Sequence, residues 1–263
     1  MLYDDQAAHF DERAGLPPHA ADAVARALAE LAAPVDGRTL LEIGAGTGSL
    51  SLALLRLPIR YAGFDGSAAM LDVFRARAVE AGLAPALHVA DGNGVWPAEN
   101  RSVDLVFAAR SLHHLEIDHV IAETRRVLRR PCGWLAIGRV RRPQHSPKSL
   151  LRRRMRRLLE AEGFAGRSGE RHADELFAAL EWWGGERLPV RETARWTVPH
   201  APADSLAAWA GKAGLAGIDL PAEVKARVLA DLESWAAAEF GDLRRPLEQE
   251  EWFEIAAAKV SID

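Results

Sequence analysis

Three carboxylates in the first half of the chain, Glu42, Asp65 and Asp91, stand at the ends of short apolar runs. The first lies in Leu40-Leu41-Glu42-Ile43-Gly44-Ala45-Gly46-Thr47-Gly48-Ser49-Leu50-Ser51, where glycines recur at alternate positions. Glycine permits positive φ and has no Cβ. A strand-to-helix turn of this composition therefore lets a ligand lie against bare backbone at a helix N-terminus. The runs Ile59 to Phe64 and Ala86 to Ala90 end in Asp65 and Asp91. Open α/β sheets bind ligands outside the carboxyl ends of their strands, so acids at three successive strand ends are candidate ligand groups. Taken singly, each reads equally well as a helix or turn cap.

The glycine spacing separates two ligand classes. A dinucleotide fingerprint is G-x-G-x-x-G, with a pyrophosphate over the helix N-terminus. Here the spacing is G-x-G-x-G, and Ser49 stands where the third dinucleotide glycine would be. Glu42, two residues before Gly44, suits a ligand carrying an amine and a cationic centre better than one carrying a pyrophosphate. With these residues the chain resembles the class I S-adenosylmethionine-dependent methyltransferases, whose first motif reads acid-x-G-x-G-x-G.

The resemblance covers about residues 35–140. Tyr61-Ala62-Gly63-Phe64-Asp65-Gly66-Ser67-Ala68-Ala69-Met70-Leu71 is similar to the family's second strand and following helix, and Val89-Ala90-Asp91-Gly92 to the third strand end. Ser102 to Leu115, with His113-His114, resembles the fourth strand and its loop, and Glu123 to Val140 the helix, turn and fifth strand. Departures are Cys132 in a place usually held by glycine, the Arg129-Arg130 pair, and Trp96-Pro97 in place of a Leu-Pro-Phe run. The resemblance implies S-adenosyl-L-methionine as cofactor and methyl transfer to a small-molecule acceptor. It places Glu42 and the backbone of Gly44, Ala45, Gly46 and Gly48 at the methionyl portion. Asp65 and Gly66 fall at the ribose, Met70 on the adenine ring, Asp91 and Gly92 at the adenine amine, and Ala109 beside the methyl donor.

The elements that must position these groups follow from periodicity. Strands at about 39–43, 59–64, 86–90, 103–109 and 134–140 alternate with helices at about 48–56, 67–81 and 117–129, preceded by an amphipathic helix over Pro17 to Ala32. That alternation reads as a Rossmann-like open α/β sheet, mostly parallel, with helices on both faces. Beyond Val140, helices are expected over 148–162, Asp174 to Trp183, Asp204 to Trp209 and Pro221 to Phe240, the last with Gly241 past its end. By resemblance, strands at 190–198 and 251–260 complete the sheet, the last antiparallel, and the helices between them form a lid. The expected organisation is a lid segment and first helix over 1–34, a cofactor-binding core over 35–140, the rest of the sheet domain over 141–199, a helical lid over 200–245 and a closing strand over 246–263.

Composition narrows the partners. Net charge is −4, from 33 basic and 37 acidic residues, which offers no bulk attraction to nucleic acid or a membrane surface. A single cysteine excludes an internal disulfide framework. No stretch approaches the ~20 apolar residues of a membrane span, and the start lacks the pattern of a signal peptide. Cytoplasmic location is the expectation; oligomeric state is left open.

Other candidates weigh less. Histidine titrates near neutrality and could take a proton from a nucleophile; of His113 and His114, His114 is the candidate base, against a packing role for either. His113, His114 and His119 lack a metal-site arrangement, so no metal is expected. Tyr3, His9 and Phe10 resemble a lid segment of small-molecule methyltransferases. Arg152-Arg153-Arg154-Met155-Arg156-Arg157 reads as a solvated helix face, with recognition of an anionic substrate as the residual alternative. Trp182, Trp183, Trp196, Trp209 and Trp235 read as lid core. Three other functions share parts of this pattern: a nicotinamide-dependent oxidoreductase, a non-catalytic S-adenosylmethionine-binding regulator, and an RNA methyltransferase.

Overall fold

The computed structural model describes residues 16–32, 37–112, 115–164, 169–212 and 214–261, with side chains of 169–171 left aside. Helix α1 (Pro18–Leu31) opens behind Pro17, whose fixed φ suits a helix start, and buries Ala20, Ala21, Val24, Ala25, Ala27 and Leu28. Strand β1 (Thr39–Ile43) leads through the glycine turn into a one-turn helix α2 (Ser51–Leu54), shorter than the 48–56 expected. Strand β2 (Arg60–Asp65), helix α3 (Ala68–Glu80), strands β3 (Ala86–Val89) and β4 (Leu105–Ala109), helix α4 (Ile117–Val127) and strand β5 (Cys132–Arg141) follow. Next come helices α5 (Pro147–Ala161) and α6 (Gly169–Trp182), then strands β6 (Glu186–Arg187) and β7 (Arg191–His200). Helices α7 (Pro202–Ala210) and α8 (Ala222–Phe240) precede the long strand β8 (Leu247–Ser261).

The sheet order is β3-β2-β1-β4-β5-β8-β6, with β7 also paired to β8. Strands β1 to β5 pair in parallel, whereas β6 runs antiparallel to β8. The last strand in sequence thus sits inside the sheet, between β5 and β6. The two-residue strand β6 carried no periodic signal and was not expected. Strand β4 is apolar throughout, and β1 and β4 are both buried along nearly their whole length, as parallel strands covered on both faces must be.

The chain divides into two compact units, one over Met1–Val140, Gly169–Ala194 and Phe253–Asp263, the other over Arg141–Ser168 and Arg195–Trp252. The core of the first unit joins Leu41, Ile43, Phe64, Val106 and Ile137 of the sheet to Trp96, Val120, Leu176 and Phe177. The second unit has its own core, with Leu151, Met155 and Leu159 of α5 against Trp209, Leu215, Val228 and Leu232. Helix α5 therefore groups with α7 and α8, whereas the organisation expected by resemblance set 141–199 with the sheet.

The tryptophans divide. Trp196 and Trp209 are buried, whereas Trp182 and Trp183 are exposed in the sheet unit, so those two are not lid core. Trp182 ends α6 and Trp183 follows it, and the Arg125 guanidinium lies 5.0 Å from the Trp183 ring centre.

Candidate functional site

The parallel register sets Glu42 beside Gly63 of β2 and Phe107 of β4. After Ile43 the chain turns through Gly44, Gly46 and Gly48, with φ of 72°, 54° and 75°. Such values favour glycine, but the three positions differ in what surrounds them. A Cβ at Gly44 would come within 2.3 Å of the Ser111 Cβ, and one at Gly48 within 2.1 Å of the Phe74 ring. At Gly46 nothing lies nearer than the Gly44 carbonyl oxygen at 4.0 Å. The outer two glycines thus admit neighbouring elements, and the middle one leaves its backbone face open.

Asp65 fixes that open turn. Its Oδ2 accepts the Gly46 N–H at 2.9 Å and its Oδ1 the Ser67 N–H at 2.9 Å. The Gly44 and Ala45 amides both donate to the Phe64 carbonyl, so the end of β2 holds the turn by three amides. Ser67 caps α3 by accepting from the Met70 amide. Asp65 and Gly66 are half-buried, and each Asp65 oxygen retains acceptor capacity for a further donor.

Glu42 is only 2% exposed, and its Oε2 accepts from the hydroxyls of both Ser51 and Tyr61. A Cβ at Gly63 would meet the Tyr61 hydroxyl at 2.5 Å, so Gly63 makes the room through which that hydroxyl reaches Glu42. Burial pushes the Glu42 pKa up to about 7 against the pull of those two hydrogen bonds; nearby Asp65 raises it further and Arg110 lowers it. The Tyr61 pKa rises well above its ordinary value, first through burial and then through the Glu42 charge.

The third strand end is built differently. Asp91 is exposed and its Oδ1 accepts the Asn93 amide at 3.0 Å, the geometry of a turn cap. Gly92 packs closely under Leu115, and its carbonyl accepts the Trp96 indole N–H at 2.9 Å. Trp96 is buried with its ring 6.0 Å from that of Phe64, and its amide donates to Glu123 Oε2 at 2.7 Å. Arg126 grips Glu123 at 2.7 and 2.6 Å and reaches the Trp96 and Ala98 carbonyls at 3.0 and 2.7 Å. That grip is the main reason the Glu123 pKa lies below its ordinary value. The Trp96 loop is therefore held in place by the side chains of Glu123 and Arg126.

At the end of β4, Ala109 is half-buried, and Met70 of α3 is buried. Arg110 has φ of 64°, a left-handed conformation that costs a non-glycine residue about 1–3 kcal/mol and clusters at functional sites. Ser111 donates to the Ile43 carbonyl at 2.7 Å, joining the ends of β1 and β4. Neither residue was singled out from sequence. The close approach demanded at Gly44 was the one available hint of Ser111. His113, His114, Tyr3, His9 and Phe10 lie outside the described residues. His119 bonds the Gly94 carbonyl at 2.8 Å. Among the described residues no group of three His, Cys, Asp or Glu side chains could hold a metal ion, and no helix is long and apolar enough to cross a membrane. A small recess lined by Leu28, Leu40, Ile59 and Leu105 lies at the opposite strand ends from the carboxylates.

Residues 40–131 match the model of the methyltransferase domain family. An uncharacterized methyltransferase of Mycobacterium tuberculosis is 33% identical over 104 residues, which make up 40% of this chain and 40% of that protein. The chain thus spans about two-fifths of the length of the curated relatives it matches. Among solved structures, the YcgJ protein of Bacillus subtilis superposes with a TM-score of 0.57 at 18% identity, covering 91% of this chain and 98% of that one. A geranyl diphosphate methyltransferase in complex with S-adenosylmethionine gives a TM-score of 0.50 at 18% identity, covering 90% and 84%. At these identities the structural likeness speaks to fold. Residues 40–131 thus resemble a methyltransferase domain, set in a chain whose fold is that of these solved structures.

Proposed function

We propose that this protein transfers the methyl group of S-adenosylmethionine to a small-molecule acceptor. The observation that carries the reading is the open backbone face at Gly46, held by Asp65 at the strand ends where such a sheet binds ligands. The residues fit the group: a half-buried carboxylate with spare acceptor capacity suits ribose hydroxyls, and exposed Asp91 suits an adenine amine. Gly44, Ala45, Gly46 and Gly48 lay their backbone along the methionyl portion, with Gly66 and Gly92 flanking the two acids. Met70 backs the adenine and Ala109 borders the donor. Glu42 supports the amino-acid end through its charge while anchoring the turn.

The bound cofactor supplies a sulfonium methyl already activated by its charge. The chain supplies orientation and exclusion of water, which are the main levers in an in-line displacement. A base is needed only where the nucleophile loses a proton of high pKa, and His114 is then the candidate. A small acceptor is favoured by the acidic net charge, which gives no general affinity for nucleic acid. Incubation of the protein with methyl-labelled S-adenosylmethionine and metabolite extracts tests the reading. Label should move to a low-molecular-mass product; label appearing in RNA alone, or no transfer despite tight cofactor binding, would count against it.

A further inference from the structure

The second unit contains a polar cluster that the methyl-donor site does not use. Arg142, the residue after β5, donates through Nε to Glu251 Oε1 at 2.5 Å, with both side chains largely shielded from solvent. Gln249, buried two residues before Glu251 on the same face of β8, donates to the same oxygen at 2.7 Å. Through its own Oε1, Gln249 accepts the Lys148 amide at 3.1 Å, pinning the first turn of α5 to β8. Lys148 and Arg152 stand one helical turn apart on α5, a spacing that puts both on one side of the helix. His200, at the end of β7, shares a 3.0 Å hydrogen bond with buried Ser205.

The charges in this cluster do not balance. Among the described residues, Arg142, Lys148 and Arg152 share the field of one carboxylate, Glu251, whose near oxygen is already taken by Arg142 and Gln249. Lys212 and Arg156 add positive field, and Asp204, near His200, offsets part of it. Crowding of cations away from water is unfavourable unless a counter-charge compensates it. Burial, followed by the field of Arg142, holds Lys148 at a pKa of about 8 and Arg152 at about 10. Arg152 is exposed and Lys148 half-buried, so both charged heads can meet a solute. Reachable cations held side by side are what binding of an oxyanion requires, and guanidinium and ammonium groups are its ordinary partners.

We propose that the second unit binds a small oxyanion, a carboxylate or phosphate group, between Lys148 and Arg152, with the Arg142–Glu251–Gln249 chain holding the two in place. The test is calorimetric titration of the full chain at constant ionic strength with inorganic phosphate, pyrophosphate and citrate, each beside a separate titration with S-adenosylmethionine. Saturable binding of at least one oxyanion is expected, weakened about tenfold or more in a Lys148→Gln, Arg152→Gln double variant. The exposed single change Arg152→Glu serves the same purpose should the double variant fail to fold. Preference for the phosphates or for citrate assigns the group, and either preference supports the site. No saturable oxyanion binding, or equal binding by a folded variant, overturns it. Oxyanion binding without S-adenosylmethionine binding would sink the methyl-transfer reading and leave the anion site standing.

Discussion

At the scale of single residues, Glu42 shows how position alters the meaning of a side chain. The motif places an acid ahead of the glycines, and the structure ties its carboxylate to Ser51 and Tyr61 in a buried pair of hydrogen bonds. Its folded pKa of about 7 exceeds the 4.5 of the unfolded chain, so the folded state binds more protons between those values. The stability this group contributes is then full below about pH 4.5 and is lost as pH rises through 7. The loss amounts to roughly 3 kcal/mol by the 1.36 kcal/mol per unit conversion. Glu42→Gln should flatten that fall, read as a smaller drop in urea midpoint between pH 5 and 8 than in the parent. A binding consequence follows from the same group. A cationic ligand nearby favours the carboxylate, so S-adenosylmethionine binding at pH 7 should release protons, detected as buffer-dependent heats. Identical proton release in Glu42→Gln would refute the involvement of this side chain.

The glycines make a second residue-scale contrast. Gly48→Ala sets a Cβ into the Phe74 ring at a positive φ and should destabilise the fold by about 1–3 kcal/mol. Gly46→Ala meets open space and should cost only about 1 kcal/mol while filling the face proposed for the cofactor. Melting and S-adenosylmethionine titration of the pair separate the roles: mainly stability lost at Gly48, mainly affinity at Gly46.

Among the elements, the loop after β3 is held by side chains rather than by regular structure. Trp96, Glu123 and Arg126 pin it to α4. Trp96→Ala should cost about 3–5 kcal/mol and speed amide exchange at Asn93 and Gly94, loosening the Asp91 end of the site. Unchanged exchange there would separate the loop from that strand end. The alternation of apolar runs and helical stripes made the parallel half of the sheet legible in the sequence to within a few residues. Strand β6, with two polar residues, carries no such signal. The grouping of α5 with α7 and α8 depends on long-range packing of Leu151, Met155 and Leu159, which periodicity along one helix cannot disclose. Trp182 and Trp183 erred in the other direction, since an apolar ring at a helix end has no neighbour specified by its own spacing.

Over the whole molecule, the two units differ in how much of each the sequence disclosed. The motifs readable from sequence fall in the first, where glycine and carboxylate spacing is local and needs no tertiary knowledge. The cluster of Arg142, Lys148 and Glu251 in the second unit joins residues far apart in the chain, so only the last part of its logic, a surplus of arginines on α5, was visible beforehand. The Asp65 partnership with the Gly46 amide likewise emerges from the fold, although both residues had been marked. The most direct test is a crystal structure of the protein with S-adenosylhomocysteine. Ribose hydroxyls within hydrogen-bonding distance of Asp65, the adenine amine at Asp91 and the ligand backbone against Gly46 are the expected result. A ligand bound elsewhere, or strand ends left empty at saturating concentration, would contradict the account.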